Sequence, residues 1–374
     1  MTSLKNIQKL KIMEVIYSFE IGGSEMLSVG ISSYMKERGA NISVCATHSM
    51  EGPISKILQD SEIECFAMNV EARGRIARRF ALYQLFRKQK VDVLHIHHVS
   101  IFALCYLPAM LAGVKRIIVT EHNEIDLVNN SRLKRKAIKI CKKIFKVTVI
   151  HQQLAEYFKK EIKLSPDKIQ VIQNGVDTER FSPKQPDEKL ISEFGFDKND
   201  RIIGCIGRLH KFKNHKMLIN AISLLDKKIL MHLKILIVGD GEMRVELEKQ
   251  VLKHQLQSCI IFLGERSDIP EILNMLDFLV LTSSTEGVPM IILEAMSSGV
   301  PCIATNVGGI SEIISNDCGA IVSPDDEKGL AELIEKFSLS EQLLMNMRKS
   351  CRARALELYD KDIMFGNYYK ILTE

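Results

Sequence analysis

Tryptophan is absent from these 374 residues, and aromatics of all kinds make up only 6% of them. A surface that stacks unpaired bases needs aromatic platforms, so nucleic acid is not an expected partner. Long apolar runs are missing as well. The longest uncharged stretch, Val99–Val114, is shorter than a membrane span and is broken by Pro108, so it reads as a buried helix or helix pair. The nine cysteines are scattered without a C-x-x-C pair. Several lie in apolar runs and read as reduced core thiols of a reducing, cytoplasmic compartment. The opening M-T-S-L-K-N-I-Q-K-L is polar and does not read as a signal peptide. Repeats and low-complexity tracts are also lacking, which leaves ordinary globular domains.

What is present is a chain of 46% hydrophobic and 26% charged residues, too long for a single core. Its charge is divided. Residues 1–185 hold 29 Lys+Arg against 18 Asp+Glu, a net of +11, and the remainder holds 22 against 28, a net of −6. This suggests two domains facing different partners, the basic one suited to an anionic membrane surface or a phosphate-bearing acceptor. The spacing predicts a first domain over 1–183, a polar linker over 184–200, a second domain over 201–358 and an amphipathic final segment over 359–374. Short apolar runs such as 11–18, 41–47, 62–68, 91–97 and 116–120 alternate with helical patterns in both halves. That is the signature of an α/β protein with two doubly wound parallel sheets.

The chemistry concentrates after one apolar run, 277–281. There follows S-S-T-E-G-V-P-M-I-I-L-E-A-M-S-S-G-V-P. Turn and cap residues come first, Pro289 is expected as the first helical residue, and Gly299 falls at the C-terminal stop. Glu286 lies before this helix and Glu294 inside it. Free N–H groups and the positive dipole end point into the same space, at the end of a strand where open sheets bind ligands. Carboxylates beside an anion site describe a phosphate that carries hydroxyls, although a solvated loop glutamate and a helix-surface glutamate would look the same. Earlier, G-R-L-H-K-F-K follows the strand 201–206 and supplies Arg208 and Lys213, two cations suited to two phosphates or to capping a basic helix.

In the first half, Gly22 and Gly23 follow the first strand and admit close backbone approach at a helix start, or serve only a tight turn. The strand 91–97 carries His95 and His97 and runs into His98. No cysteine or carboxylate stands at ligand spacing, so a metal is not expected there. The strand 116–120 delivers Glu121 and His122 at its end. Two basic helices, 71–90 and 131–146, read as solvated faces or as contacts with an anionic membrane; the stripe Ile76, Phe80, Leu82, Leu85 and Phe86 on the first belongs to a core. Gly-Asp-Gly at 239–241 lacks the third glycine of a dinucleotide fingerprint.

With Glu286 and Glu294 forming E-x7-E inside E-G-V-P-M-I-I-L-E-A-M-S-S-G-V-P-C-I-A-T-N-V-G-G, with R-L-x-x-x-K at 208–213 and with V-I-Q-N-G-V-D-T-E-R-F-S-P at 171–183, the chain resembles the retaining GT-B glycosyltransferases of the family 4, group 1 type. The resemblance covers nearly the whole chain. It implies two Rossmann-like domains with an interdomain cleft, an N-terminal acceptor domain onto which the last helix returns, and a C-terminal donor domain. It implies transfer of a sugar from a nucleotide-diphosphate sugar, most simply a UDP-sugar, to a glycan or lipid-linked acceptor in cell-surface polysaccharide synthesis. The roles it implies are diphosphate neutralisation by Arg208 and Lys213, sugar contacts from Glu286 and from Gly287, Val288, Pro289 and Met290, ribose binding by Glu294, a base-side neighbour in Arg266, a donor-side loop at Gly22 and Gly23, and a sugar contact from His122. No cofactor and no metal are expected, the cations doing that work. The expected location is cytoplasmic, peripheral on the inner membrane face. Two alternatives stand beside this one: a GT-B sugar-nucleotide epimerase and a non-catalytic basic binding module.

Overall fold

Strands whose residues are apolar on both faces can persist only where helices cover both sides, and that is how these runs fold. The computed structural model describes residues 10–48, 51–68, 74–197 and 199–374. Two units emerge, one reaching Gln173 and taking back Met364–Glu374, the other Asn174–Ile363.

In the first unit, β1 (Lys11–Ile16), β2 (Asn41–Ala46), β3 (Glu64–Ala67), β4 (Val93–His97), β5 (Arg116–Glu121), β6 (Lys146–Val149) and β7 (Ile169–Val171) form one parallel sheet in the order β3-β2-β1-β4-β5-β6-β7. One face is covered by a core that includes Met13, Val15, Leu94, Ile96 and Phe102. On the other face Ile12 and Val93 pack with Ile31 and Met35 of the helix Gly23–Glu37 and with Met364, Tyr368, Ile371 and Leu372 of the final helix, Lys361–Thr373. Each such side chain removed from water contributes on the order of 2 kcal/mol.

The second unit repeats the plan. Here β8 (Arg201–Ile206), β9 (Leu233–Val238), β10 (Ile260–Gly264), β11 (Phe278–Leu281), β12 (Cys302–Thr305) and β13 (Gly319–Val322) form a parallel sheet in the order β10-β9-β8-β11-β12-β13, with a core on each face. In both sheets the chain first builds outward on one side, then returns to the middle and builds the other. The reversal lies between β1 and β4, and between β8 and β11. Loops leaving the C-terminal ends of those two central strands diverge there and leave room for a ligand.

Several local expectations shift. The stretch 184–200 is not plain linker, because Asp187 caps a helix, Glu188–Phe194. The units divide at 173/174 and 363/364, whereas composition suggested 183 and 358. Pro108 sits inside the continuous helix Val99–Ala112 without ending it. Pro289 is the cap before the helix Met290–Ser297, with φ −71° and ψ 119°, and not its first residue. Gly299 does occupy the left-handed stop position, at φ +74°. All nine cysteines are free thiols. Among the described residues no helix is long and apolar enough to cross a membrane.

Candidate active site

Two loops meet at the reversal point of the second sheet. The loop after β8 ends in the short turn Lys211–Lys213, and the loop after β11 carries Thr282–Pro289. They are bound to each other before any ligand arrives. The Thr282 hydroxyl donates to the Lys213 and Asn214 carbonyls at 3.1 and 3.0 Å, and the Ser284 N–H donates to the Phe212 carbonyl at 2.8 Å. The cation and carboxylate singled out in the sequence therefore face each other: Lys213 Nζ lies 2.5 Å from Glu286 Oε1. Ser283 Oγ donates to the same oxygen at 2.6 Å. Both charges are largely withdrawn from water, where their attraction is less screened.

The floor of this loop demands glycine. Gly308 follows β12 at φ +55°, and a Cβ there would stand 2.0 Å from the Glu286 carbonyl. The Gly309 N–H then donates to the Gly287 carbonyl at 2.8 Å. Past Gly287, Val288 and Pro289, the helix begins at Met290 with no side chain capping its first turn. About one turn in, Glu294 is half-buried, and burial pushes its carboxyl up to about 7 against the opposing charge of Arg180. A carboxyl held this way is poised to ionise when hydroxyl donors reach it.

Arg208 is exposed and has no ion-pair partner among the described residues. It lines a cavity of about 320 Å³ with Gly207, Gly239, Asp240, Glu265 and Arg266. Arg266 is engaged by Asp268 through two contacts, one of 2.8 Å from Nε. The glycines of the 239–241 turn, set aside in the sequence for want of a third, have a definite job. Gly239 and Gly241 adopt φ +128° and +155°, and a Cβ on either would reach 2.2 Å from the Gly207 carbonyl or 2.6 Å from the Leu209 carbonyl. They let the Arg208 loop lie against the neighbouring loop, fastened by Gly207 N–H to the Val238 carbonyl and Leu209 N–H to the Asp240 carbonyl. The structure thus pairs Lys213 with Glu286 and places Arg208 with Arg266. Glu294 makes no direct contact with any of these four.

The first unit holds a second polar constellation. Gly22 precedes the helix that starts at Gly23, where the Glu25 carboxylate occupies the first turn and accepts from Ser24 Oγ at 2.8 Å. Glu14, in the middle of β1, is fully buried beside β4. It accepts from His95 Nδ1 at 2.8 Å, His97 Nε2 at 2.9 Å and Ser28 Oγ at 3.2 Å. His97 Nδ1 lies 3.2 Å from Nε2 of His122, which is half-buried just beyond β5. His98 pairs with Glu121 at 2.9 Å and stands above the ordinary histidine range despite its burial. Glu14 is the carboxylate that sequence spacing could not supply. Glu14, His95 and His97 bring ligand-type atoms within 4.8 Å of one another, but here those atoms are engaged in hydrogen bonds. A lone D-x-D, Asp360-Lys361-Asp362, is likewise engaged: Asp360 accepts from the Thr178 hydroxyl and from the Asp362 N–H, and Lys361 meets Asp177 at 2.6 Å.

The basic helices divide their residues. Residues 71–73 of the first lie outside the described residues. In Arg75–Gln89, Leu82 and Phe86 are in the core, but Ile76 is 87% exposed and Phe80 56%. The apolar stripe is therefore only half explained by the core. Ile76 and Phe80 join Tyr83, Leu107 and Leu111 around a groove of about 460 Å³ edged by Arg79. In Ser131–Ile140, Ala137 and Ile140 are buried while Arg132, Arg135 and Lys139 face solvent.

Two family descriptions between them match most of the chain. Residues 21–180 match Glycosyltransferase Family 4, and residues 186–355 match Glycosyl transferases group 1. An Escherichia coli UDP-Gal:alpha-D-GlcNAc-diphosphoundecaprenol alpha-1,3-galactosyltransferase is 29% identical over 364 residues, covering 92% of each chain. An N-acetyl-alpha-D-glucosaminyl L-malate synthase of Bacillus anthracis is 26% identical, covering 97% of this chain and 96% of its own. Among solved structures, Anabaena HepE in complex with UDP superposes with a TM-score of 0.86 at 21% identity, over 97% of this chain and all of the other.

Proposed function

The chain belongs to the GT-B glycosyltransferases that join a family 4 domain to a group 1 domain, and we propose that it carries a sugar from a UDP-sugar to a hydroxyl of a lipid-linked glycan, with retention and without a metal ion. The observation that carries this is the Lys213–Glu286 pair at the reversal point between β8 and β11. In a glycosyl transfer the bond from the anomeric carbon to the diphosphate breaks, and negative charge gathers on the departing phosphate. Arg208 and Lys213 neutralise that charge, in a setting where fixed charges are worth most. This is the task a divalent ion would otherwise perform. Glu286, tied to Lys213 and Ser283, is held as an acceptor for sugar hydroxyls and is poorly placed to be a nucleophile. That favours attack by the acceptor on the face the diphosphate leaves, and so retention. Glu294 takes the ribose hydroxyls, Arg266 flanks the base, and His122 accepts from a hydroxyl of the transferred sugar.

A UDP-sugar and a lipid-linked acceptor are the substrates named for the E. coli relative. The exposed Ile76 and Phe80, edged with arginine, fit an anionic membrane face where such an acceptor resides. Calorimetry against a panel of nucleotide sugars, followed by transfer assays on the one that binds, tests the reading. Wild-type turnover in Glu286→Ala and Arg208→Ala would refute it. Conversion of the sugar nucleotide with no acceptor present would turn it into an epimerase.

A further inference from the structure

The buried chain from Glu14 to His122 has a direction. A carboxylate accepts hydrogen bonds and donates none. Glu14 is held at about 2, its desolvation outweighed by the two histidines it faces. Since Glu14 accepts at both oxygens, His95 must carry a proton on Nδ1 and His97 on Nε2. Burial keeps His97 below its ordinary range, so its other nitrogen is bare. Nδ1 of His97 can then only accept, and the atom 3.2 Å away, Nε2 of His122, must donate. Burial, with His98, His97 and His95 nearby, holds His122 well below the ordinary histidine range, so it too is neutral. Its Nδ1 is left as an unprotonated lone pair with no partner among the described residues.

We propose that Glu14 and His97 are positioning residues for His122: the buried carboxylate dictates, through the His97 ring, that His122 is protonated on Nε2 and presents a bare Nδ1 to a substrate hydroxyl. The sheet makes this possible. Glu14 and His95 are register partners of β1 and β4, and period-two alternation puts His97 on the same face. The titratable neighbours among the described residues are His95, Tyr368, His98, Glu121 and, beside Glu121, Cys141, whose thiol burial pushes up to about 12. His95 Nε2 meets Thr120 at 2.7 Å, Thr120 meets Thr148, and the Tyr368 hydroxyl is within hydrogen-bonding reach of both threonines, its ring 5.5 Å from that of His95. His98 is paired to Glu121, which also accepts from the His122 N–H, while Glu25 and Asp126 act on His98. The consequence is selectivity for a group that donates: a deoxy or fluoro sugar at that position is rejected. This rests on the proposal that His122 touches the transferred sugar.

The test is nitrogen-15 NMR of histidine-labelled full-length protein. At pH 7.5, His122 is expected as a single tautomer with the proton on Nε2. In His97→Leu the ring loses its acceptor; its signals should broaden or double, and kcat should fall about tenfold, the worth of one hydrogen bond, with donor KM within about twofold. His97→Asn, which restores an acceptor near Nδ1, should recover the tautomer and most of kcat. A wild-type His122 protonated on Nδ1, or charged, overturns the proposal whether or not the variants fold. So does a folded His97→Leu with wild-type signals and kcat. His122→Ala with undiminished transfer would remove the role of His122 in substrate binding, a separate failure that leaves the tautomer result intact.

Discussion

Replacing Glu294 by glutamine should stabilise the free protein and weaken its grip on a nucleotide. The carboxyl stands at about 7 against an ordinary 4.5 because it is buried. The difference is about 2.5, and at ~1.4 kcal/mol for each the ionised form costs the folded state on the order of 3 kcal/mol above pH 7. The sign follows from which state holds the proton. Below pH 4.5 the carboxyl is protonated both folded and unfolded, and glutamate and glutamine should be equal. As pH rises from 4.5 to 7 the unfolded chain ionises freely and the folded one does not, so wild type loses stability relative to the variant. Above 7 the gap is constant, about 6–12 °C in melting temperature for a unit of this size. Ligand reverses the order. Ribose hydroxyls donating to an ionised carboxylate are charge-assisted, and losing that acceptor should weaken UDP binding by about 10–100-fold. Melting curves at pH 4.5, 6 and 8, with and without UDP, read both effects. An advantage for Glu294→Gln that does not grow with pH would show that burial is not what raises the carboxyl. Equal UDP affinity would show that the nucleotide binds elsewhere.

Three further outcomes follow from the same geometry. Arg208→Ala should leave the melting temperature unchanged, since the side chain is exposed and unpaired, yet lower kcat by about 100-fold or more; a parallel loss of both would mark it as structural. Gly239→Ala should destabilise the second unit by about 1–3 kcal/mol and weaken UDP binding, because its Cβ would strike the Gly207 carbonyl 2.2 Å away; an unperturbed variant would show that the Arg208 loop does not depend on that approach. Phe80→Glu should cut partition onto vesicles containing anionic lipid by about tenfold while sparing transfer to a soluble acceptor analogue; unchanged pelleting would leave the exposed apolar groove without a membrane role.

Much of the second unit could be read locally. Glu286 and Glu294 belong to one strand–loop–helix corner, and Arg208 and Lys213 to another, so their types and spacings survive in the linear sequence. The apolar runs marked the strands, since a strand buried on both faces has little latitude. Boundaries moved by a residue or two, as at Pro289, because caps and first helical residues draw on similar chemistry. Gly239 and Gly241 were legible as a turn but not as the packing surface for the Arg208 loop. The stripe from Ile76 to Phe86 read as core, and only half of it is. Helical periodicity says which side chains share a face, not how far a neighbouring helix extends to cover them.

From its sequence alone the chain could be recognised as two α/β units, with a donor-side motif on two corners and a basic first half. What needed the tertiary structure was the pairing of those corners: that Lys213 reaches Glu286, 73 residues away, and that Glu14 reaches His97, 83 residues away. The reason is that side-by-side strands in a parallel sheet are set by the order in which crossovers lay them down, and covalent spacing carries no record of that order. A glutamate in a buried run looks like a defect until the neighbouring strand supplies the histidines that hold its charge.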